Sequence, residues 1–87
     1  MQANQQDISR LLKTARGQID GILKMIEEDR YCMDISHQIM AAEAILNKAN
    51  RDVLKAHIQG CVREGMESGD AGQKVQEILA ILDAVMK

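Results

Sequence analysis

Cys32, His57 and Cys61 are the residues of this chain best suited to chemistry. Two soft thiolates and an imidazole make a donor set for a transition-metal ion. Cys61 follows His57 by four positions, one helical turn, so the pair shares a helix face. Cys32 precedes His57 by 25 positions. On a continuous helix at about 1.5 Å per residue that is roughly 37 Å, far beyond any coordination sphere. If one helix joins them, a site using all three must take Cys32 from one subunit and His57 and Cys61 from another.

The elements that position these residues follow from pattern and composition. The chain has 87 residues, no Pro, Phe or Trp, a single Tyr and a net charge of −2. This composition favours helix, and so small a chain usually completes its core by oligomerising. Ile8, Leu11, Leu12, Ala15, Ile19, Ile22, Leu23 and Ile26 recur at three and four positions, predicting an amphipathic first helix of about 20 residues. Gly17 and Gly21 lie inside it on one face, a spacing that suggests close approach by another helix. The polar residues 27–30 then read as a turn. A long second helix is predicted from Cys32 to Arg63, with a heptad-like seam of Ile35, Ile39, Ala42, Leu46, Ala49 and Val53. Such a seam stays uncovered unless it pairs with a neighbour. Residues 65–72 read as a glycine-rich loop. Val75, Ile78, Leu79, Leu82, Val85 and Met86 predict a short third helix. The expectation is an all-α fold forming a single domain over residues 1–87.

Helical phase then sorts the middle helix. Taking Lys48 as zero at about 100° per position, Arg51 and Lys55 fall within roughly 60° of it, a basic stripe. The seam centres about 130–140° away, and Cys32, His57 and Cys61 land within about 40° of one another at its edge. An antiparallel pair of such helices sets Cys32 of one beside His57 and Cys61 of the other. His37 falls on the basic face and reads as an ordinary exposed histidine, and the six methionines read as core filler. Two thiolates and one imidazole suit Cu(I), which accepts three soft donors, whereas structural Zn²⁺ takes four. The second ring nitrogen of a ligating His57 needs a partner, for which Tyr31 and Glu77 are the candidates.

Other classes are disfavoured. Paired catalytic carboxylates, a nucleophile motif and a phosphate loop are not evident, which points away from an enzyme. Two cysteines 29 positions apart match neither a dense disulfide framework nor a C-x-x-C motif. No apolar stretch suits a bilayer and no charged-then-apolar leader opens the sequence, so a cytoplasmic protein is expected. Arg10, Lys13 and Arg16, with Lys48 and Arg51, form basic stretches that could meet phosphates, although no aromatic platform exists for single strands.

The runs Lys13-Thr14-Ala15-Arg16-Gly17-Gln18-Ile19-Asp20-Gly21-Ile22, Tyr31-Cys32-Met33-Asp34-Ile35 with Gln38-Ile39, and His57-Ile58-Gln59-Gly60-Cys61 resemble the CsoR/RcnR family of small helical bacterial repressors, most of all its copper-sensing branch. The resemblance runs from about Leu12 to the end of the chain. It implies a three-helix protomer, an antiparallel dimer forming a four-helix bundle, and a dimer-of-dimers tetramer. It implies Cu(I) sites that bridge protomers, with Cys32, His57 and Cys61 as ligands and Tyr31 and Glu77 supporting them. It further implies that the apo tetramer binds operator DNA through Lys13, Arg16, Lys48 and Arg51 and that the ligand releases it. Leu11 stands where relatives often carry a basic residue, with Arg10 beside it as the nearest substitute. Nickel- and cobalt-sensing members use an N-terminal histidine and a histidine where Cys61 stands, and formaldehyde-sensing members a proline at position 2, which is Gln2 here. Two alternatives stay open: a persulfide sensor bridging Cys32 and Cys61 of different protomers, and a helical oligomerisation module without a DNA role.

Overall fold

A computed structural model of the protein describes residues 1–69 and 71–85, apart from the side chains of residues 66–68, 71, 73–75, 82, 83 and 85. Three helices follow in order: α1 (Gln5–Glu27), α2 (Cys32–Ser68) and α3 (Ala71–Val85). The chain is all-α, as expected. It forms two compact units, one of residues Gln5–Asn50 and one of Met1–Asn4 with Arg51–Lys87, and α2 contributes to both.

In the first unit, α1 and the early part of α2 are joined by the four residues 28–31, a connection short enough to make antiparallel neighbours. The buried residues of α1 are Ile8, Ala15 and Ile22, and those of this part of α2 are Ala42 and Ala49. Each set is spaced by seven, the register of helices packed side by side, and the alanines permit close approach. Two buried isoleucines contribute only about 3–6 kcal/mol together. Much apolar surface stays in water: Leu12, Ile19, Leu23 and Ile26 of α1 are 44–55% exposed, and Ile39 and Leu46 of the α2 seam 43% and 41%. The seam therefore lacks cover from its own chain at these two positions.

The turn between α1 and α2 is fixed by backbone hydrogen bonds. Arg30 N–H donates to the Met25 carbonyl (3.0 Å) and Asp29 N–H to that of Ile26 (3.1 Å), the paired bonds of a Schellman cap. Such a cap needs a left-handed residue, and here Asp29 takes it at φ 52°. An L-residue pays about 1–2 kcal/mol there, partly relieved for Asp. Asp29→Gly should stabilise the protein by about 0.5–1 kcal/mol, net of the entropy glycine adds to the unfolded chain. Urea midpoints at fixed protein concentration test this; an unchanged or lower midpoint rejects it. The Tyr31 carbonyl then accepts from Asp34 N–H (3.0 Å) and Ile35 N–H (3.2 Å), which starts α2 at Cys32.

Two sequence expectations are corrected at the other end of α2. The helix does not stop at Arg63 but continues to Ser68, and residues 65–72 are mostly helical. Gly65 is buried within the helix, where its cost of about 1 kcal/mol is too small to end a long helix. The stop comes at Gly69, whose φ is 76° and whose N–H donates to the Gly65 carbonyl at 3.0 Å. This is the left-handed cap that glycine adopts without strain. The third helix accordingly begins at Ala71 rather than Val75. Asp70 and Met86, as well as the side chains of Val75, Leu82 and Val85, lie outside the described residues. Within the chain, a Cβ at Gly17 or Gly21 would meet nothing within 4 Å, so no described element of the same chain packs closely on them. No helix among the described residues is long and apolar enough to cross a membrane.

Candidate metal centre

α2 runs unbroken from Cys32–Ser68, so the premise of the long Cys32–His57 separation is met. His57 and Cys61 lie one turn apart on it, and their side chains meet: Cys61 Sγ is 3.3 Å from His57 Nε2. Glu77 comes to them from α3, its Oε1 2.7 Å from the same ring nitrogen. Donor atoms of His57, Cys61 and Glu77 all lie within 4.8 Å of one another. Cys61 is buried at 4% exposure, while His57 and Glu77 are half-buried.

The hydrogen bond decides the ring's orientation. An ionised carboxylate accepts, so Nε2 donates to Glu77 and Nδ1 keeps the lone pair, which is not on the nitrogen that contacts the Cys61 thiol. A buried thiol and an oriented imidazole on one turn form a pair of soft donors fit for a thiophilic ion. Glu77 is a hard oxygen donor and suits Cu(I) poorly. What the structure shows of it is the 2.7 Å contact with His57.

The second unit also builds the surroundings of the pair. Glu77, Ala80, Ile81 and Ala84 form one face of α3, and with Val53, Leu54 and His57 of α2 they line a largely apolar concavity of about 560 Å³. Met1 and Gln2 line it too. Gly60, next to Cys61, is buried, and a Cβ there would come within 3.0–3.2 Å of the Gln2 side chain. The missing side chain lets the first residues lie against α2. Sequence reasoning missed this contribution, because four residues ahead of a helix carry no periodic signal.

The remaining site residues are not among these clustered donors. Cys32 is the first residue of α2, exposed and with a free thiol, and belongs to the first unit. It is not among the clustered donors. Tyr31, just before it, is 66% exposed. Arg10, Lys13 and Arg16 are exposed on α1, and Lys48 and Arg51 are exposed on α2. Arg10 makes a 3.4 Å ion pair with Asp7. Exposed pairs of this kind are worth about 0–1 kcal/mol, so it hardly ties the guanidinium down. With Lys13 and Thr14, Arg10 lines an open polar concavity along α1.

Known proteins resemble this chain in sequence and in fold. A family model described as metal-sensitive transcriptional repressor matches residues 4–84. The copper-sensing transcriptional repressor CsoR of Bacillus subtilis is 38% identical over 80 residues, which are 92% of this chain and 79% of that protein. The copper-sensing transcriptional repressor CsoR of Mycobacterium ulcerans is also 38% identical, over 68 residues, covering 78% of this chain. The match spans only 58% of that mycobacterial relative's length. Among solved structures, the nickel-responsive transcriptional regulator InrS superposes with a TM-score of 0.86 at 26% identity, covering 98% of this chain and 96% of that one. The copper-sensing repressor CsoR with Cu(I) from Geobacillus thermodenitrificans NG80-2 gives 0.83 at 33% identity, over 94% of this chain and 85% of that one. With a match over nearly its whole length, this chain belongs to the family of metal-sensitive transcriptional repressors.

Proposed function

We propose that this protein is a Cu(I)-responsive transcriptional repressor, bound to operator DNA in its apo form and released when Cu(I) occupies a site shared between subunits. The observation that carries the reading is the buried Cys61 thiol 3.3 Å from His57, itself held by Glu77 at 2.7 Å. Two soft donors thus lie one turn apart on one helix, and the ring turns Nδ1 toward the thiol to complete the pair. A third soft donor, Cys32, lies 25 positions back along the same helix, and so is supplied by a second subunit. Tyr31 would come with it and join Glu77 in supporting His57. The exposed apolar residues of α1 and of the α2 seam supply the surface for an antiparallel dimer and, beyond it, a tetramer. Arg10, Lys13, Arg16, Lys48 and Arg51 are the DNA-contacting residues in this reading, and phosphate contacts dominate their effect. The protein then acts in the cytoplasm, as one domain spanning the chain.

Anaerobic titration should show about one Cu(I) per protomer, lost when either cysteine is replaced. Complementation tests the sharing of the site. Cys32→Ala and Cys61→Ala proteins, each defective alone, should on co-refolding recover about one intact site in every mixed dimer. Mixed dimers with no recovered Cu(I) site would place all ligands within one chain and overturn the arrangement. Glu77→Gln separates ligand from support. As a support it should lower Cu(I) affinity by about 10–100-fold without changing stoichiometry. A variant that loses Cu(I) altogether, or a wild-type protein that takes Zn²⁺ through Glu77 and ignores Cu(I), would contradict this assignment.

A further inference from the structure

The expectation that methionines fill the core is not met within this chain by Met33 and Met40, 47% and 61% exposed on α2, nor by Met1 at 75%. For the two on α2 the reason lies in helical phase. At about 100° per position, both fall roughly opposite the Ile35–Ala42–Ala49 seam, on a face the seam's packing does not cover. His37 lies between them on that face and is exposed as well. Met33 is four positions before His37 and Met40 three positions after it. Both spacings make helix-surface neighbours, with Cβ atoms about 5–6 Å apart. All three belong to one unbroken helix within one compact unit, so the backbone fixes their spacing.

We infer that Met33, His37 and Met40 form an accessory surface site for a soft monovalent ion, Cu(I) or Ag(I), separate from the His57–Cys61 pair. The donor types select the ion. Thioether sulfur is a soft, neutral donor that favours Cu(I) and gives little to Zn²⁺ or Ni²⁺, and imidazole completes a low-coordinate set. Met40 is the better placed sulfur, because helical side chains lean toward the N-terminus and so toward His37. Met33 reaches back through three rotatable bonds. No thiolate takes part, so the site binds more weakly than one built on cysteines and exchanges its ion with solvent. It shares no residue with the candidate metal centre, and the inference stands whatever Cys32, His57 and Cys61 bind. Its place on the solvent face suits a landing point where an incoming ion is first held.

The test uses full-length protein labelled with ¹³C at the methionine methyls and titrated with Ag(I), a diamagnetic stand-in for Cu(I). Once the cysteine-containing sites are filled, further Ag(I) should shift the Met33 and Met40 methyls and the His37 ring signals, leaving Met25 in place. His37→Gln should abolish these shifts, and Met40→Leu should weaken the binding about tenfold, more than Met33→Leu. Zn²⁺ should leave the methionine methyls unmoved. A Cys32→Ala/Cys61→Ala protein should show the same shifts from the first addition, separating this site from the cysteines. Methyls that never move, or that move equally in His37→Gln, would overturn the proposal. All of these substitutions but Cys61→Ala fall on exposed positions, and circular dichroism confirms that each variant folds.

Discussion

His57→Ala should keep appreciable Cu(I) yet stay on its operator when copper is added. Two thiolates suffice to hold Cu(I), so stoichiometry survives while affinity falls. What the variant loses is the connection between ligand and fold. In the protein, His57 joins the Cys61 turn of α2 to α3 through the 2.7 Å bond to Glu77. Occupying the lone-pair nitrogen of the ring biases that link, whereas without the imidazole the ion no longer acts on α3 through this bond. Allosteric couplings are typically about 1–3 kcal/mol, a 5–150-fold change in affinity. In His57→Ala that factor should fall close to one. Fluorescence anisotropy with a labelled operator fragment, with and without Cu(I), measures it directly. Full copper-driven release from this variant would remove His57 and Glu77 from the switch, leaving the cysteines to act alone.

The second large effect belongs to DNA. Lys48→Glu with Arg51→Glu should weaken operator binding by about 100-fold or more and flatten its salt dependence, since each lost phosphate contact removes about 0.9 from the log–log slope. Both residues are exposed and lie three positions apart on α2, so one groove or phosphate run meets them together. The loss should be nearly uniform across sequences, because phosphate contacts position the protein without reading bases. Cu(I) stoichiometry should be unchanged in the same protein. An unaltered affinity and slope would move the DNA surface elsewhere and return the helical oligomerisation module to contention.

The site was legible in sequence to the extent that it lies within one helix. His57 and Cys61 are four positions apart, and that spacing alone implied the 3.3 Å contact seen in the structure. Glu77 sits 20 positions beyond His57 on another helix, and only the need for a second-nitrogen partner and the family resemblance singled it out. The packing of Met1–Asn4 beside Arg51–Lys87 left no trace in the pattern. α1 and the start of α2 could be read because apolar periodicity and a polar turn agree. The end of α2 could not, because glycine is ambiguous. Gly65 sits inside the helix and Gly69 ends it, and the difference is a φ of 76° that composition does not encode. Met33 and Met40 were misjudged by residue type, although their helical phase placed them on the solvent side.

The unbroken α2 has a further consequence for how this protein can change over time. Cys32 and His57 are 25 positions apart, close to seven turns at about 3.6 residues each. The helix therefore works as a yardstick graduated in turns. Substitutions between the two residues leave its markings intact, but inserting or deleting one residue rotates everything beyond it by about 100° and turns Cys61 and His57 off the edge that the proposed site requires them to share with Cys32. Drift in residue identity along residues 33–56 is compatible with the proposed shared site, and drift in length is not.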